Sequence, residues 1–401
     1  MALPVLYQSP RTPAFVQDPY PFYARARAAG PLVYWSDLDM PMATDHATVS
    51  ALLRDKRFGR AVPATRRKVT PPHLEPFQAL ENHSMLELEP PDHTRLRGLV
   101  LRAFTSRRIS AMHPDITALA HGLIDRFPRE PFDLLAEFAE PLPVRVIARM
   151  MGLPDAMTPQ LLNWSHAMVA MYQSRRDTKI EVEAGEAAQA FTAYLKDLIK
   201  ARRRAPEEDL LSHLITARDR DDKLSDAEMI ATAILLLNAG HEATVHSIAN
   251  GVKALLEHGF SPRPDAISAL TEEVLRFDPP LHLFTRFATE DVCIADHRFS
   301  RDDEVGLLLA SAGRDPAVFD QPEVFDPGRS KPAHQSFGGG IHFCVGAPLA
   351  RLELDVALST LFSRCPDLHI TEPPTYADRY HFHGLTRLMV ATSAKSVPPL
   401  P

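Results

Sequence analysis

The segment LLLNAGHEATVHS, residues 235–247, places polar and acidic side chains inside a long apolar stretch. A histidine and a glutamate followed by a second histidine could bind zinc if both imidazoles shared one helix face, as residues four apart do. His246 follows His241 at the fifth position, which turns it about 140° away on a helix of 3.6 residues per turn. The spacing excludes a zinc site of that pattern, so Glu242 needs another explanation.

A second chemical candidate is the glycine-rich loop FGGGIHFCVG, residues 337–346. A phosphate-binding loop is not supported, because no Gly-Lys-Ser/Thr follows and the glycines lack GxGxxG spacing. Cys344 precedes a helix that Pro348 is expected to open, and the positive end of the helix dipole would favour a thiolate. A buried structural cysteine is the alternative, and the loop residues alone leave both open.

Composition limits the class of protein. The 401 residues are 45% apolar and 24% charged, as in ordinary globular proteins, and a net charge of -7 argues against a nucleic-acid binder. Cys293, Cys344 and Cys365 lie too far apart in the sequence for a local zinc site or an iron–sulfur cluster, and an odd count of three argues against a secreted disulfide framework. The first twenty residues contain four prolines and no apolar run, so we expect a cytoplasmic protein without signal peptide or membrane anchor.

The elements that position these residues are predicted to be mostly helical. Helices are predicted for DPYPFYARARAAG with Asp18 as N-cap, PPDHTRLRGLVLRAF, PVRVIARMMG, KIEVEAGEAAQAFTAYLKDLIKARRR, and the stretch from Ser225 to about His258. Strands are expected only in PLVYW, in residues 284–309 and around GLTRLMVAT, and residues 314–340 are expected to form a loop. Because no linker is evident, residues 1–401 are predicted to be a single domain, mainly α with a minor β part.

The loop around Cys344 fits the pattern FxxGx[HR]xCxG and resembles the haem-binding loop of the cytochrome P450 family. The matching positions are Phe337, Gly340, His342, Cys344 and Gly346. This resemblance implies the cytochrome P450 fold, with a long central helix over a haem and a small β-sheet region. It also implies haem b (iron protoporphyrin IX) with Cys344 as axial ligand of the iron, whose electron donation favours O–O cleavage.

Other segments resemble the family over most of the chain. Glu273 and Arg276 in EEVLRF resemble its ExxR motif, and Arg329 in FDPGR resembles the third member of the same salt-bridged set. Residues three apart share one helix face. The resemblance therefore implies that these three side chains are structural and hold the loop that leads to the cysteine.

Four cationic or imidazole side chains resemble residues that bind the haem propionates. They are His93, Arg97, Arg286 and His342. Charge-assisted hydrogen bonds to a propionate contribute roughly 1.5–3 kcal/mol each. For each arginine taken singly, a solvated surface charge is the alternative.

The segment AGHEAT resembles the part of the central helix that crosses the distal face of the haem. The resemblance implies that Glu242 relays protons from solvent, and that Gly240 leaves room beside the reaction site; a helix-capping or ion-paired glutamate is the alternative. Most relatives follow this acid with Thr, but here Ala243 follows it, and Thr244 lies about 100° further around the helix. We therefore expect an ordered water or a polar group of the substrate to supply the missing hydroxyl beside the catalytic segment.

The resemblance also implies which residues line the distal substrate pocket. They are Met85, Leu86, Leu235, Asn238, Ala239, Ala243, His282, Leu283, Phe284 and Phe382. These walls are largely apolar, with Asn238 and His282 as polar contacts, as is typical of a small-molecule site.

The implied activity is that of a monooxygenase that inserts one oxygen atom from O2 into a small, largely apolar organic substrate. The chain has no flavin fingerprint and no cluster cysteines, so electrons from NAD(P)H are expected through a separate ferredoxin and ferredoxin reductase. A monomer is expected, with a basic ferredoxin-docking cluster of Arg102, Arg107, Arg108, Lys331 and Arg351. The alternative is a haem-thiolate protein that binds a ligand or gas without turnover, which Ala243 favours.

Overall fold

The protein folds into two compact units that each combine several chain segments. The structure, a computed structural model, describes residues 2–173, 176–217, 223–329, 334–380 and 382–393. Unit 1 comprises residues 1–59, 117–139 and 243–401, and unit 2 comprises residues 60–116 and 140–242. The single domain expected from the sequence stays a prediction.

Helices dominate both units, as the sequence predicts. They are α1 (Pro13–Gln17), α2 (Tyr20–Ala29), α3 (His46–Arg54), α4 (Glu75–Glu81), α5 (Asp92–Ala103), α6 (Ser106–Ala111), α7 (His113–Ile124), α8 (Pro141–Met150), α9 (Thr158–Val169), α10 (Thr178–Arg204), α11 (Leu210–Thr216), α12 (Asp226–His258), α13 (Ile267–Phe277), α14 (Leu309–Ala312) and α15 (Ala347–Arg364). The five helices predicted from the sequence correspond to α2, α5, α8, α10 and α12. Within the described residues, no helix is both long and apolar enough to cross a membrane.

The start of α2 differs by one residue from the prediction. Pro19 occupies the N-cap position, and the Asp18 carboxylate accepts a hydrogen bond from the Tyr20 backbone N–H at 3.2 Å. The helix ends at Gly30, whose φ of 146° favours glycine. Asp18 therefore stabilises the first helical turn as a capping side chain does, although it lies one residue before the N-cap.

The described strands all belong to unit 1. They are β1 (Val5–Leu6), β2 (Leu32–Trp35), β3 (Met40–Ala43), β4 (Phe58–Gly59), β5 (Phe132–Asp133), β6 (Leu283–Ala288), β7 (Val292–Ile294), β8 (His297–Phe299), β9 (Glu304–Leu308), β10 (His369–Ile370), β11 (Thr375–Tyr376), β12 (Leu385–Arg387) and β13 (Met389–Ala391). A six-stranded sheet has the order β1-β2-β3-β9-β6-β4, a three-stranded sheet has the order β10-β13-β5, and β7-β8 and β11-β12 pair separately.

The prediction that strands occur in only three places is wrong. Strands β1, β3, β4, β5, β10 and β11 lie elsewhere in the chain. Most are two residues long, too short to show an alternating pattern, and β3 contains Pro41, a residue that argues against a strand. Pairing with longer neighbours therefore stabilises these segments, rather than their own sequence.

Strand β6 shows how the sheet directs side chains to opposite faces. Leu283 packs with Trp35 and Met42 in one buried apolar cluster. Phe284 packs against a second cluster that contains Leu52 and Phe299. Because successive strand residues point to opposite faces, these two neighbouring side chains pack into different apolar clusters.

Candidate active site

The glycine-rich loop before α15 turns tightly against α3. Gly338 and Gly340 have φ values of 68° and 66°, which favour glycine. A Cβ on Gly340 would overlap the carbonyl oxygen of Leu53, and one on Gly338 would lie 3.2 Å from the Phe284 ring. These close approaches explain why the loop needs glycine and place it beside Phe284.

Cys344 is held at the N-terminal end of α15 with its thiol exposed. Its backbone N–H donates a hydrogen bond to the Phe337 carbonyl oxygen at 3.0 Å. The next helix begins after Gly346, where a Cβ would lie 3.8 Å from Cys344 Sγ. The exposure argues against a buried structural cysteine, and the positive helix end favours a thiolate that can bind metal.

A buried ion pair holds the long loop that leads to this cysteine. Glu273 and Arg276 form a bidentate pair with two N–O distances of 2.7 Å, and both side chains are buried. Arg329 Nε contacts Glu273 at 3.3 Å, and the Asp326 N–H donates to the same carboxylate at 2.7 Å. Arg276 also donates to the carbonyl oxygens of Gly313, Pro322 and Val324. The set expected from the sequence is therefore formed, and it ties α13 to the loop.

Two candidate haem-binding residues, Arg286 and His342, belong to unit 1. Arg286 in β6 is 2% exposed, and it donates a hydrogen bond to the Thr285 carbonyl oxygen at 2.8 Å. His342 is half-buried in the short turn before Cys344. A guanidinium this buried requires anionic or hydrogen-bonding partners, so a haem propionate fits its chemistry.

The remaining two candidates lie in unit 2. His93 and Arg97 are four residues apart on α5, so they share one helix face. His93 is buried and Arg97 is half-buried, and Arg95 between them forms an ion pair with Glu228 of α12. The helix that carries the two candidates is thus anchored to the long helix within this unit.

Glu242 lies between two imidazoles in unit 2. Its Oε2 is 3.6 Å from Nε2 of His241 and 3.7 Å from Nε2 of His166 on α9. The His166 side chain is 49% exposed, whereas that of Glu242 is 11% exposed. The nearly buried carboxylate therefore has a half-exposed imidazole as its neighbour. The sequence analysis missed His166, because only the packing of α9 against α12 brings it to the acid.

The other residues of the central helix have the following surroundings. A Cβ on Gly240 would make an ordinary van der Waals contact with the Ile147 side chain of α8, at 3.4 Å. Asn238 is buried, and its amide N–H faces Met168 Sδ at 3.6 Å. Leu235 and Ala243 are half-buried, Ala239 is exposed and Thr244 is buried.

Ser247 offers a hydroxyl on the same helix face as Ala243, but it is already used. It donates a hydrogen bond to the Ala243 carbonyl oxygen at 2.8 Å. Such a bond to the fourth preceding residue is common for serine in helices. Ser247 therefore does not replace the hydroxyl that Ala243 lacks.

The predicted substrate-pocket residues have diverse surroundings. His282 is buried, its Nδ1 lies 2.9 Å from the Tyr23 hydroxyl, and its ring lies 4.5 Å from that of His383. Burial, and then the neighbouring His383, lowers the pKa of His282 well below its usual range. With Leu283 packed in an apolar cluster, Phe284 is the residue of this strand that lies beside the cysteine loop.

The remaining pocket predictions fall in separate places. Met85 is buried and Leu86 half-buried in unit 2. In unit 1, Phe382 forms a β-bridge with Leu281, and its ring lies 6.3 Å from that of His246. Phe382 also lines a small cleft together with Phe15, His282 and Tyr380.

The predicted basic cluster is partly neutralised. Arg351 forms an ion pair with Glu272 and lies 4.6 Å from the Phe337 ring centroid. Burial would raise the pKa of Glu272, but hydrogen bonds from His334 and Arg351 lower it to about 2. Arg108 donates to the Ala103 carbonyl oxygen at 2.7 Å, and Lys331 lies outside the described residues.

Comparison with known proteins decides the family. The family model described as Cytochrome P450 matches residues 266–378. Over 385 residues the chain is 36% identical to the biotin biosynthesis cytochrome P450 of Bacillus subtilis, covering 94% of this chain and 96% of that one. The chain belongs to the cytochrome P450 family.

Further relatives agree with this assignment. The P450 is 36% identical over 399 residues to the vitamin D(3) 25-hydroxylase of Pseudonocardia autotrophica, covering 95% of this chain and 96% of that one. Its fold matches a crystal structure of P450BioI in complex with hexadec-9Z-enoic acid ligated acyl carrier protein, with a TM-score of 0.89. That match is 35% identical and covers 95% of this chain and 100% of the other.

Family membership confirms the predicted P450 fold and the enzyme class. Relatives are named as monooxygenases and hydroxylases, so this chain is an oxidoreductase of the P450 type. The family uses haem and O2. The exposed Cys344 thiol at a helix N-terminus and the buried Arg286 guanidinium fit that cofactor in ligand chemistry and in charge.

Proposed function

We propose that this P450 inserts one oxygen atom from O2 into a small, largely apolar organic molecule. The observation that carries the proposal is the exposed thiol of Cys344 at the start of α15, in a chain of this family. Electrons come from NAD(P)H through a separate ferredoxin and its reductase, and the enzyme acts as a cytoplasmic monomer.

The residues of the chain divide the work of holding the cofactor. Cys344 would hold the haem iron through its thiolate, with Phe337, Gly340 and Gly346 shaping its loop. When bound, the haem supplies the activation of O2. The side chains that neutralise its propionates are His93, Arg97, Arg286 and His342.

Glu242 is proposed to move protons between solvent and the distal side of the central helix. Its carboxylate lies 3.7 Å from the half-exposed His166 imidazole, which supports access to water. Ala243 has no hydroxyl, and that of Ser247 is bound to the backbone. A trapped water, or a polar group of the substrate near Asn238, therefore completes the route.

The substrate is proposed to have a largely apolar body with few polar groups. P450BioI was crystallised with hexadec-9Z-enoic acid on its carrier protein, and the myxobacterial P450 CYP267B1 with myristic acid. The P450 CYP109E1 of Bacillus megaterium was crystallised with testosterone. These ligands share an apolar body with few polar groups, which agrees with predicted pocket residues such as Leu235 and Asn238.

A titration tests this substrate class. Hexadec-9-enoic acid, myristic acid, testosterone and vitamin D3 are added separately to the haem-loaded protein, and the Soret band is followed. We expect saturable displacement of water from the iron, seen as a low-spin to high-spin shift, with at least one of the four. A response only to compact polar molecules would contradict the proposal.

The second candidate function is ligand binding by a haem-thiolate protein without turnover. Ala243 favours it, because proton delivery beside an alanine has no fixed hydroxyl. Turnover with NADH, a surrogate ferredoxin and its reductase separates the two functions. Product formed from a ligand that shifts the spin state supports the monooxygenase. NADH consumption no greater than without ligand, and no product, supports the binding protein.

A further inference from the structure

Three potential metal ligands meet where α9 packs near α12 in unit 2. His166, His241 and Glu242 each contribute one ligand atom, and these atoms lie within 4.8 Å of one another. Oε2 of Glu242 is 3.6 Å from Nε2 of His241 and 3.7 Å from Nε2 of His166. Zinc bonds of about 2.0–2.2 Å place neighbouring ligand atoms of a tetrahedral site roughly 3.4 Å apart. The two Glu242 contacts are within a few tenths of an ångström of that spacing, and the two imidazole nitrogens lie within 4.8 Å of each other.

The tautomer of His241 is suited to a metal. Its Nδ1 lies 3.0 Å from the Leu237 carbonyl oxygen, which accepts a hydrogen bond and therefore holds the proton on Nδ1. The lone pair of the ring is then on Nε2, the atom that faces Glu242. A backbone carbonyl in this position is the usual outer partner of a metal-binding histidine.

Exposure and charge also agree with a cation site. His241 is 1% exposed and would be a rigid ligand, whereas the half-exposed His166 gives a cation access from water. His241 Nε2 and the Glu242 carboxylate, 3.6 Å apart, are both atoms that can bind a metal ion. Two imidazoles and one carboxylate suit zinc, nickel or copper better than calcium or magnesium, which prefer oxygen ligands.

A second group with the same ligand types is less suited. Asp278, His282 and His383 in unit 1 also offer ligand atoms within 4.8 Å, but all three are buried. The Asp278 carboxylate accepts a hydrogen bond from the Tyr20 hydroxyl at 2.9 Å, and His282 Nδ1 is bonded to the Tyr23 hydroxyl. Hydrogen bonds between these side chains already explain that group.

We propose that His166, His241 and Glu242 form a binding site for a divalent transition metal of the zinc type. The fourth position is taken by water on the exposed side of His166. The site differs from the zinc pattern excluded by the sequence, because His246 is replaced as ligand by a histidine from another helix.

The proposal has a consequence for turnover that rests on the proposed function of Glu242. A metal on the Glu242 carboxylate occupies the group that is proposed to move protons. Zinc should therefore inhibit product formation while leaving the Cys344 side of the protein unchanged.

Metal binding is tested on the untagged, haem-loaded protein with Cys293 replaced by Ser, so that its exposed thiol does not bind zinc. Zinc is titrated against a fluorescent chelator in the parent, His166→Ala and Glu242→Gln. We expect one zinc per chain in the parent. Both variants should bind zinc at least about ten-fold more weakly, because losing even a residue that only hydrogen-bonds a metal ligand typically costs that much affinity.

His369→Ala is the matched control, because His369 is an exposed imidazole on β10 whose loss should leave zinc affinity unchanged. Equal zinc affinity in the parent and His166→Ala would overturn the site, as would the absence of stoichiometric binding in the parent.

Turnover at saturating zinc separates the two proposals. Inhibition of the parent but not of His166→Ala supports both the metal site and the role of Glu242. Zinc that binds in the parent without slowing turnover would contradict the proton role of Glu242. The binding titration alone decides the metal site.

Discussion

Replacing Glu273 by glutamine removes the charge from the ion pair that ties α13 to the cysteine-bearing loop. Glu273 is 1% exposed and Arg276 is 0% exposed, and they are joined by two contacts of 2.7 Å. Glutamine keeps the length of the side chain and one acceptor oxygen. The guanidinium of Arg276 would remain buried without its opposite charge.

The expected loss follows from this burial. Removing one partner of a buried ion pair costs about 3–5 kcal/mol, because the remaining charge is uncompensated. Arg276 keeps hydrogen bonds to three carbonyl oxygens, and the glutamine oxygen still accepts one from Asp326 N–H. We therefore expect the lower part of that range, about 3–4 kcal/mol.

An exposed glutamate provides the control. Glu372 pairs with Arg387, and the two side chains are 47% and 59% exposed. Exposed pairs contribute about 0.2–1 kcal/mol, so Glu372→Gln should cost less than about 1 kcal/mol. The two substitutions are chemically identical, which leaves burial of the pair as the main difference.

Urea unfolding followed by far-ultraviolet circular dichroism measures both losses from the midpoint shift at unchanged m-value. The Soret band, recorded on the same samples, reports whether the cysteine loop opens together with the rest of the chain. Equal losses in the two variants, or a loss below about 1 kcal/mol for Glu273→Gln, would refute the argument from burial.

Three further predictions concern the cysteine loop, the central helix α12 and a buried glutamate of α15. Cys344→Ala should abolish the red-shifted Soret band of the reduced carbon monoxide complex, and Cys293→Ala should leave it intact; the same band in both would contradict thiolate ligation by Cys344. Glu242→Gln should slow product formation from every substrate, whereas Ala243→Thr should improve coupling of NADH to product chiefly for apolar substrates; equal gains for all substrates would argue against substrate assistance. Burial raises the pKa of Glu353 well above its usual range, so the folded chain keeps a proton that the unfolded chain releases above about pH 4.3. Stability should therefore fall as pH rises from there, by up to about 1.4 kcal/mol per pH unit. Glu353→Gln should remove that slope from urea midpoints measured at pH 5–7, and an unchanged slope would show that Glu353 is ionised.

Short-range features of the sequence determined the long helix, the buried ion pair and the position of the cysteine. The period of apolar residues predicts α12 almost to the residue, because a long helix makes its own backbone hydrogen bonds. The Glu273–Arg276 pair follows from the three-residue spacing on one helix face. The loop glycines and Pro348 likewise place Cys344 at a helix start, since turns and helix ends depend on a few neighbouring residues.

Contacts between distant segments were decided only by the tertiary structure. Strand β3 forms despite Pro41 because β2 and β9 supply its partners. His166 meets Glu242 only because α9 packs near α12. His282 lies in a buried polar cluster because Tyr23 and His383 surround it. No local pattern encodes such pairings, since they depend on which surfaces exclude water together when the whole chain packs.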